Sequence, residues 1–391
     1  MKEDFIANEY IYSEGAPSGP LYILQSGVVE IFANNEKGEE KRIEVIQKPG
    51  EIFGIPETVL KINRINSAKA KTDVKVKIID LTGKDLKQTI KLNPLLGLNI
   101  SINLSKAFQR RNNYLNELSK FFKEAKNAVN SLCLKYYESV ENINKLNAKF
   151  RFPWLNSIYE KGKTNIIYNY GDSVNKGKDI IEQEVIKKEL KYMEEEELST
   201  AGAKTFKKGD IVCREGDIGN EMYILMEGSL NVYVGEQKIA EIKNKGSIIG
   251  EIAVLLGYSS KKYEKRTATV KAKEDSKVIV IPGPNLEPVI KKDPSLIVHI
   301  TKTLSERLPE TDNAIISTDS QFQKYLALVN KMGTTTANCP KAFEILINEI
   351  NLSAKSNMEI VDRILKDVEQ YLDESKQTYD IYFNEYQKLQ N

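Results

Sequence analysis

Short runs in which apolar and polar residues alternate occur at two places in the chain. One run covers residues 21–32 and a similar run covers residues 222–233, and each contains an internal glycine, Gly27 or Gly228. Alternation with a period of two predicts strands with one buried face, and the glycines predict turns between the strands. Because the second run repeats the first about 200 positions later, the pattern predicts two copies of one antiparallel β-domain.

Both copies end in the same helical pattern. Asn93 precedes a proline within residues 86–100, and Asp293 precedes a proline within residues 286–300. The residue before a proline is driven away from the helical conformation, so an Asx-Pro pair favours a turn. Each copy is therefore predicted to close with two helices separated by that turn.

A long helix is predicted after the first copy. Apolar residues recur there at intervals of three, four or seven, which places them on one helical face. These residues are Leu104, Phe108, Leu115, Leu118, Phe122, Ala125, Val129 and Leu132. This stripe is explained equally well by a core within one molecule and by a homodimer seam through helices in residues 100–150. Periodicity alone does not identify the surface against which the stripe packs.

The helix is predicted to end before the Phe-Pro-Trp sequence of residues 152–154. Several glycines within residues 161–177 predict a loop. A further helix is predicted from about Asp179, and it ends in the acidic residues 194–197, which are typical of a solvated face.

The C-terminal stretch is predicted to begin with a polar linker, residues 311–320, followed by helices near residues 322–331, 340–351 and 357–389. The last helix carries an apolar stripe typical of a core or a coiled-coil seam, so it is a second candidate for homodimer contacts. The stripe consists of Val361, Leu365, Val368, Leu372, Tyr379, Tyr382, Tyr386 and Leu389.

Composition and charge narrow the classes of function. The chain has 391 residues, of which 41% are hydrophobic and 29% charged, as in ordinary globular proteins. A net charge of +2 creates no overall field that would favour nucleic acid or an anionic membrane. A single histidine, His299, excludes His-rich metal sites and two-histidine catalysis. No catalytic residues and no metal site are therefore predicted.

The cysteines and the N-terminus bear on localisation. Cys133, Cys213 and Cys339 lack the spacing of a metal site and are interpreted as buried small hydrophobic residues in a reducing compartment. Residues 1–9 lack the apolar core of a signal peptide, and no run has the length needed to span a bilayer. A cytoplasmic protein with no membrane partner is expected.

The clearest candidate site is the segment KGSIIGEIAVLLG of residues 245–257, which a charged loop connects to RTATV at residues 266–270. Gly250 permits a tight turn after a strand, and a short helix from Glu251 would direct its first N–H groups outward. Those N–H groups and the helix dipole favour an anion. Arg266 matches two phosphate oxygens, whereas Glu251 can only accept hydrogen bonds, as from a ribose hydroxyl.

The two halves of this site resemble the phosphate-binding cassette of the cyclic-nucleotide-binding domain family. The residues that carry the resemblance are Gly250-Glu251-Ile252-Ala253 and Arg266-Thr267-Ala268-Thr269. Residues 206–217 and 222–233 are similar to that family's opening strands and glycine turns, so the resemblance covers about residues 204–285. It implies an α+β fold of two antiparallel, jelly-roll-like β-rolls, joined and followed by helical segments, as in catabolite-activator-like and protein-kinase regulatory-like proteins.

The resemblance also implies a role for each site residue. Backbone amides at residues 250–253 and the Arg266 side chain would bind the cyclic phosphate, and Glu251 would bind the ribose 2′-hydroxyl. A threonine in the place of Thr267 often reaches a guanine in the family, but the choice between cGMP and cAMP stays open. The loop of residues 258–265 is longer than the family usually has. The predicted ligand-binding set is Gly250, Glu251, Ile252, Ala253, Arg266, Thr267 and Ala268.

The first copy is predicted to be degenerate. It keeps Gly54 and Arg64, but Ile55 stands where the ribose-binding glutamate is expected, and the next residue, Pro56, has no backbone N–H for a phosphate. Glu57 lies two residues late, so its side chain is expected to leave the short helix on a different side. Arg64 is therefore predicted to make a structural ion pair, with no ligand in the first copy.

Four segments are predicted: a degenerate domain at 1–85, a helical connector at 86–198, the binding domain at 199–310 and a helical tail at 311–391. The predicted function is a non-enzymatic receptor that binds a cyclic nucleotide in the second domain and transmits its occupancy through helices to an unknown protein effector. A ligand-free scaffold and a catabolite-activator-like transcriptional regulator are the alternatives. Residues 311–391 carry 12 acidic and 8 basic side chains, which argues against DNA binding.

Overall fold

The computed structural model describes residues 2–81, 86–178, 180, 203–262, 264–330, 338–353 and 359–390. The chain forms two compact units. One combines Met1–Tyr114 with Glu189–Ile316, and the other combines Leu115–Lys188 with Ser317–Asn391. The four predicted segments follow the sequence repeat instead, and their boundaries stay a prediction.

The first β-domain lies in the first compact unit. Its elements are β1 (Asp4–Phe5), β2 (Tyr10–Tyr12), β3 (Leu21–Ser26), β4 (Val29–Asn34), β5 (Glu40–Ile46), β6 (Ile52–Phe53), α1 (Ile55–Leu60), β7 (Ser67–Ala70) and β8 (Val74–Ile79). The strands form two antiparallel sheets, ordered β1-β8-β3-β6 and β2-β7-β4-β5. Along β4, buried residues alternate with less buried ones, as the sequence pattern predicts.

Helices follow the first β-domain. They are α2 (Leu86–Leu92), α3 (Pro94–Phe150), α4 (Pro153–Lys163) and α5 (Ile166–Asn175). Asn93 separates α2 from α3, and its side-chain oxygen accepts a hydrogen bond from the backbone N–H of Leu96 at 3.3 Å. The predicted turn at the Asx-Pro pair and the predicted break at residues 152–154 are both confirmed.

The second β-domain repeats the first in topology. Its elements are β9 (Ala203–Phe206), β10 (Ile211–Cys213), β11 (Glu221–Glu227), β12 (Leu230–Val234), β13 (Gln237–Ile242), β14 (Ile248–Ile249), α6 (Glu251–Ser260), β15 (Thr269–Ala272) and β16 (Ser276–Pro282). The sheets are ordered β14-β11-β16-β9 and β10-β15-β12-β13. The later helices are α7 (Leu286–Lys292), α8 (Pro294–Leu328), α9 (Cys339–Ser353) and α10 (Glu359–Gln390). The predicted α+β fold of two antiparallel β-rolls with helical segments is confirmed.

Within the first compact unit, α3 and α8 pack side by side with equivalent positions facing each other. Oγ of Ser101 lies 2.7 Å from Oγ1 of Thr301, and both residues are fully buried. A Cβ atom at Gly97 would lie 3.3 Å from the Ile297 side chain, so the helices approach closely there. One hydrophobic core includes residues of both helices, among them Leu98, Ile100, Ile102, Leu104, Leu296, Ile300, Leu304 and Leu308. The two copies thus share a core as two subunits of a dimer would.

The prediction of a polar linker at residues 311–320 is wrong, because these residues continue α8. Thr311 and Asp312 are buried, and Asp312 pairs with Arg111 of α3 at 2.8 Å. Polar composition suggested a linker, but the partner of the Asp312 carboxylate lies on α3. Charged residues are buried here because they pair across the contact between the two helices.

The second compact unit is helical, and the remainder of α3 belongs to its core. The ring of Phe121 lies 5.4 Å from that of Tyr382 in α10, and the ring of Tyr136 lies 5.5 Å from that of Phe343 in α9. Val368 and Tyr386 on the predicted stripe of the last helix are buried. Partners within the chain therefore cover much of both apolar stripes, which favours the core explanation, and a homodimer through them stays a prediction.

The prediction of a loop at residues 161–177 is also wrong, because α4 ends at Lys163 and α5 begins at Ile166. Asn165 caps α5 by accepting a hydrogen bond from the Ile167 N–H at 3.0 Å. Gly171 lies inside α5, where a Cβ atom would be 2.2 Å from the backbone oxygen of Cys133. This glycine marks a close helix contact and not a loop. The helix predicted from Asp179 falls largely outside the described residues.

Candidate functional site

The candidate cleft begins where β14 meets α6. Gly250 follows β14 with a φ of 76° and is the N-cap residue of α6. Glycine suits this position for two reasons: the positive φ, and the 2.1 Å that would separate a Cβ atom from Nη1 of Arg266. The predicted helix at Glu251 is present and runs to Ser260, so part of the inserted loop extends α6. Among the inserted residues that the structure describes, Lys265 lines the cleft.

Arg266 is held at the cleft by backbone carbonyl groups. Its Nη1 donates to the oxygen of Gly250 at 3.1 Å, and its Nη2 donates to the oxygen of Glu221. The guanidinium carbon lies 5.6 Å from the centre of the Tyr223 ring, whose pKa is raised to about 12, chiefly by burial. Arg266 is only 7% exposed. Its charge is therefore fixed in position and partly desolvated, which strengthens its attraction for an anion.

Glu251 makes an ion pair that the sequence did not predict. It is 2% exposed, and its carboxylate accepts a hydrogen bond from Nη1 of Arg307 in α8. The Arg307 guanidinium also lies 5.3 Å from the centre of the Phe108 ring in α3. The arginine thus connects the start of α6 with both long helices. A buried carboxylate requires such a partner, because a lone charge would be strongly unfavourable there.

All seven predicted site residues line one open cleft, which encloses about 540 Å³ including its mouth. Its remaining lining residues are Cys213, Val232, Ile242, Ile248, Ile249, Lys265, Val270 and Arg307. The polar groups gather around Arg266 and Glu251, whereas most of the other residues are aliphatic. Such a cleft is suited to a ligand with an anionic end and a flat apolar body.

The first β-domain holds its arginine in the same way. Gly54 has a φ of 72°, and Arg64 Nη1 donates to its backbone oxygen at 2.9 Å. Nη2 of Arg64 donates to the oxygen of Pro20 at 2.7 Å. The predicted ion pair is also present, because Arg64 Nη1 lies 3.4 Å from Oε2 of Glu57 and both side chains are 1% exposed. The two β-domains therefore share one arrangement of glycine, helix and arginine.

Residues 2–92 and 203–293 match the family model of the cyclic nucleotide-binding domain. Both stretches belong to this family. The chain therefore carries two cyclic nucleotide-binding domains in tandem, as the repeat predicted. The first domain departs from the second inside the cleft, as described below.

The relatives of these domains include ion channels. A cyclic nucleotide-gated cation channel of Ictalurus punctatus is 28% identical over 144 residues, which cover 34% of this chain and 21% of the channel. The cyclic nucleotide-gated channel alpha-2 of Homo sapiens is 42% identical over 69 residues, which cover 17% of this chain and 10% of the channel. The matches thus span only a small part of the length of these relatives.

Among solved structures, the regulatory domain of Toxoplasma gondii PKA with cAMP is 16% identical to this chain, and the match covers 79% of this chain and 85% of that one. The TM-score is 0.22. At this level of similarity the comparison carries no argument about function.

Arg307 and Cys213 are cleft residues that the sequence-based prediction did not place in the site. Arg307 lies on α8, far along the chain, and no motif indicates that it reaches the second domain's cleft. Cys213 was predicted to be a buried hydrophobic residue, but it is only partly buried and lines the cleft, whereas Cys133 and Cys339 are fully buried. Burial raises the pKa of the Cys213 thiol, and the charge of Arg266 opposes that shift. An alignment of the two domains would have shown that Cys213 occupies the position equivalent to Tyr12.

The residues that the structure describes contain no group of three or more His, Cys, Asp or Glu side chains arranged to bind a metal ion. In the same part of the chain, every helix is too short or too polar to cross a bilayer.

Proposed function

We propose that the second domain is a receptor site for a cyclic nucleotide, cGMP or cAMP. The cyclic phosphate would lie against Arg266 and the backbone N–H groups of residues 250–253, and Glu251 would accept a hydrogen bond from the ribose 2′-hydroxyl. The observation that carries this proposal is the convergence of these groups on one cleft of about 540 Å³.

The aliphatic part of the cleft supports the same ligand class. Val232, Ile242 and Ile248 line it together with the charged groups. A purine base would bury apolar surface against these side chains, while the phosphate stays at Arg266. Thr267 is exposed beside the arginine and is the residue that would contact a guanine. Both nucleotides are therefore needed in the test.

Calorimetric titration of the full chain with cAMP and with cGMP tests the proposal. Arg266→Ala is expected to weaken binding by about 2–5 kcal/mol, roughly 30-fold to several thousand-fold, because the phosphate loses a desolvated partner. Glu251→Ala is expected to weaken it less, since the phosphate contact remains. A larger loss from Glu251→Ala would instead indicate that Glu251 shapes the loop.

Arg64→Ala is the matched control, because Arg64 makes the same backbone contacts in the first domain. It should leave the affinity of the second domain unchanged. If wild type and Arg266→Ala bind equally, the proposed site is wrong. If wild type binds neither nucleotide, the receptor proposal is wrong and a scaffold without ligand becomes the better description.

We further propose that α8 transmits occupancy. Glu251 would contact the nucleotide, and its ion-pair partner Arg307 lies on α8. His299 of the same helix hydrogen-bonds the backbone oxygen of Gly246 at 2.6 Å, just before β14. A ligand that alters the partners of Glu251 would therefore shift the balance of contacts on α8. This role is binding and signalling without catalysis, directed at an effector whose identity is open.

Hydrogen exchange of residues 286–310 with and without nucleotide measures this coupling. Binding is expected to change the protection of their backbone amides. Unchanged protection, at nucleotide concentrations that saturate the site in calorimetry, would show that α8 does not respond.

A further inference from the structure

In the first domain, a carboxylate of the protein itself lies against the arrangement of glycine, helix and arginine that the two domains share. Glu57 is fully buried, with Oε2 placed 3.4 Å from Nη1 of Arg64. Its other oxygen, Oε1, accepts a hydrogen bond from the backbone N–H of Ile65 at 3.3 Å. One buried anion thus contacts both the arginine and the backbone N–H that follows it.

The counterparts of these two residues in the second domain are Arg266, a proposed phosphate contact, and Thr267, another residue of the predicted site. Arg64 corresponds to Arg266, because each donates to the glycine that precedes the helix and to a carbonyl oxygen next to β3 or β11. Ile65 follows Arg64 as Thr267 follows Arg266. Glu57 is the third residue after its glycine, as Ala253 is in the second domain. The methyl group of Ala253 leaves the space before the arginine open, whereas the Glu57 side chain fills it.

Two aromatic residues fill much of the remaining first cleft. Tyr12 ends β2 as Cys213 ends β10, and Phe53 ends β6 as Ile249 ends β14. The Arg64 guanidinium lies 4.2 Å from the centre of the Tyr12 ring. The space open to the centre of a water molecule is about 20 Å³ in the first cleft and about 100 Å³ in the second. The first cleft therefore leaves little more room than one water molecule needs.

We propose that the first domain is occupied by its own Glu57, a built-in anion that stands where the second domain would hold a phosphate. Arg64 is 3% exposed, and a carboxylate beside a buried guanidinium offsets part of its desolvation, so Glu57 is expected to stabilise the domain. Glu57 keeps the site permanently filled, and the domain takes no cyclic nucleotide. Glu57 contacts Arg64 whether or not the second domain binds a nucleotide.

Removal of the carboxylate followed by its return as a small anion tests the proposal. Glu57→Ala in the full chain is expected to unfold at lower urea concentration than wild type in sodium chloride. Sodium acetate of equal ionic strength should restore part of the lost midpoint, because acetate carries the deleted carboxylate into the space beside Arg64. Wild type should show the same midpoint in both salts.

Three variants separate this role from ordinary packing. Glu57→Gln fills the space without the charge, so it should lose stability and gain nothing from acetate. In Glu57→Ala combined with Arg64→Ala, the effect of acetate should disappear. Glu30→Ala removes a carboxylate from a more exposed group of ion pairs with Arg42 and Lys71, and it should be insensitive to acetate.

Two results would overturn the proposal: a wild-type midpoint for Glu57→Ala, or an equal acetate response in all variants. If Glu57→Ala does not fold in chloride, refolding in acetate provides the same readout, and no recovery there would also overturn it. Nucleotides take no part in these measurements, so their outcome is independent of the receptor test in the second domain.

Discussion

The contact between α3 and α8 contains a group whose ionisation should control stability. Asp312 of α8 is 5% exposed and pairs with Arg111 of α3, which also pairs with Glu44 at 2.9 Å. Arg110 forms a second ion pair with Glu44. Burial raises the pKa of Asp312 to about 7, the charge of Arg111 opposes that shift, and the nearby carboxylate of Glu44 adds to it.

The sign of the effect follows from these pKa values. Between the ordinary pKa of 3.8 and the folded value of about 7, the folded protein holds more protons at Asp312 than the unfolded chain does. Stability from this residue is therefore fully present below about pH 4 and is lost as the pH rises towards 7. At about 1.4 kcal/mol per pKa unit, the loss reaches at most about 4 kcal/mol.

Urea unfolding at pH 5 and pH 8, followed by circular dichroism, measures this loss. In wild type the midpoint should fall as the pH rises, whereas Asp312→Asn should lose much less because its amide cannot ionise. Thr311→Val is the control: it alters the adjacent buried residue without adding or removing a titratable group, so its pH dependence should equal that of wild type. Equal pH dependence in wild type and Asp312→Asn would refute the reasoning.

Three further predictions concern single residues. Cys213 should react with iodoacetamide faster than the two fully buried cysteines, and bound nucleotide should slow this reaction. Mass spectrometry measures the rate, and an equal rate with and without saturating ligand would place the ligand elsewhere. Gly171→Ala should destabilise the second compact unit by about 1–3 kcal/mol, because the new Cβ atom meets a carbonyl oxygen of α3. Fluorescence of Trp154 during urea unfolding measures the loss, and an unchanged midpoint would contradict the prediction. Glu251→Gln should leave Arg307 without its counter-charge and speed hydrogen exchange in α8 of the ligand-free protein, whereas unchanged exchange would mean that the pair does not hold the helix.

Much of the fold could be predicted because its signals are local. Alternating residues predicted the strands, and the Asx-Pro pairs predicted the breaks before α3 and α8. The turn at Gly250 was also predictable from residue type, whereas the pairing of Gly250 with Arg266 in one site was expected from the resemblance to a family. The strands and turns depend on residue type and short spacing, which a single sequence contains.

The contacts between distant helices were not predictable in the same way. Asp312 looked like a linker residue, since its partner Arg111 lies on the other copy's helix. Gly171 looked like a loop residue, since nothing local indicates that Cys133 of α3 approaches it. Burial of polar residues is decided by partners that are distant in sequence, and composition cannot reveal those partners.

A tandem arrangement permits an asymmetry that a symmetric homodimer does not. In a symmetric dimer, every contact between residues i and j is repeated between j and i. Here Arg111 of α3 pairs with Asp312 of α8, whereas the 200-residue offset between the two helices places Thr311 and Asn112 at the reciprocal positions, so the ion pair is not repeated. The same freedom lets the first cleft fill with Glu57 while the second stays open.

Adjacent residues of α8 then serve different domains. Leu308 lines the first cleft, where Glu57 and the aromatic residues leave almost no free space, whereas Arg307 pairs with Glu251 in the second. If Glu57 seals the first cleft as we propose, no ligand enters or leaves it and its contacts keep one stable arrangement. If nucleotide changes the partners of Glu251, the resulting strain on α8 acts against this fixed first domain. The first domain, with its cleft filled, would then stay fixed while α8 moves in response to ligand binding in the second domain.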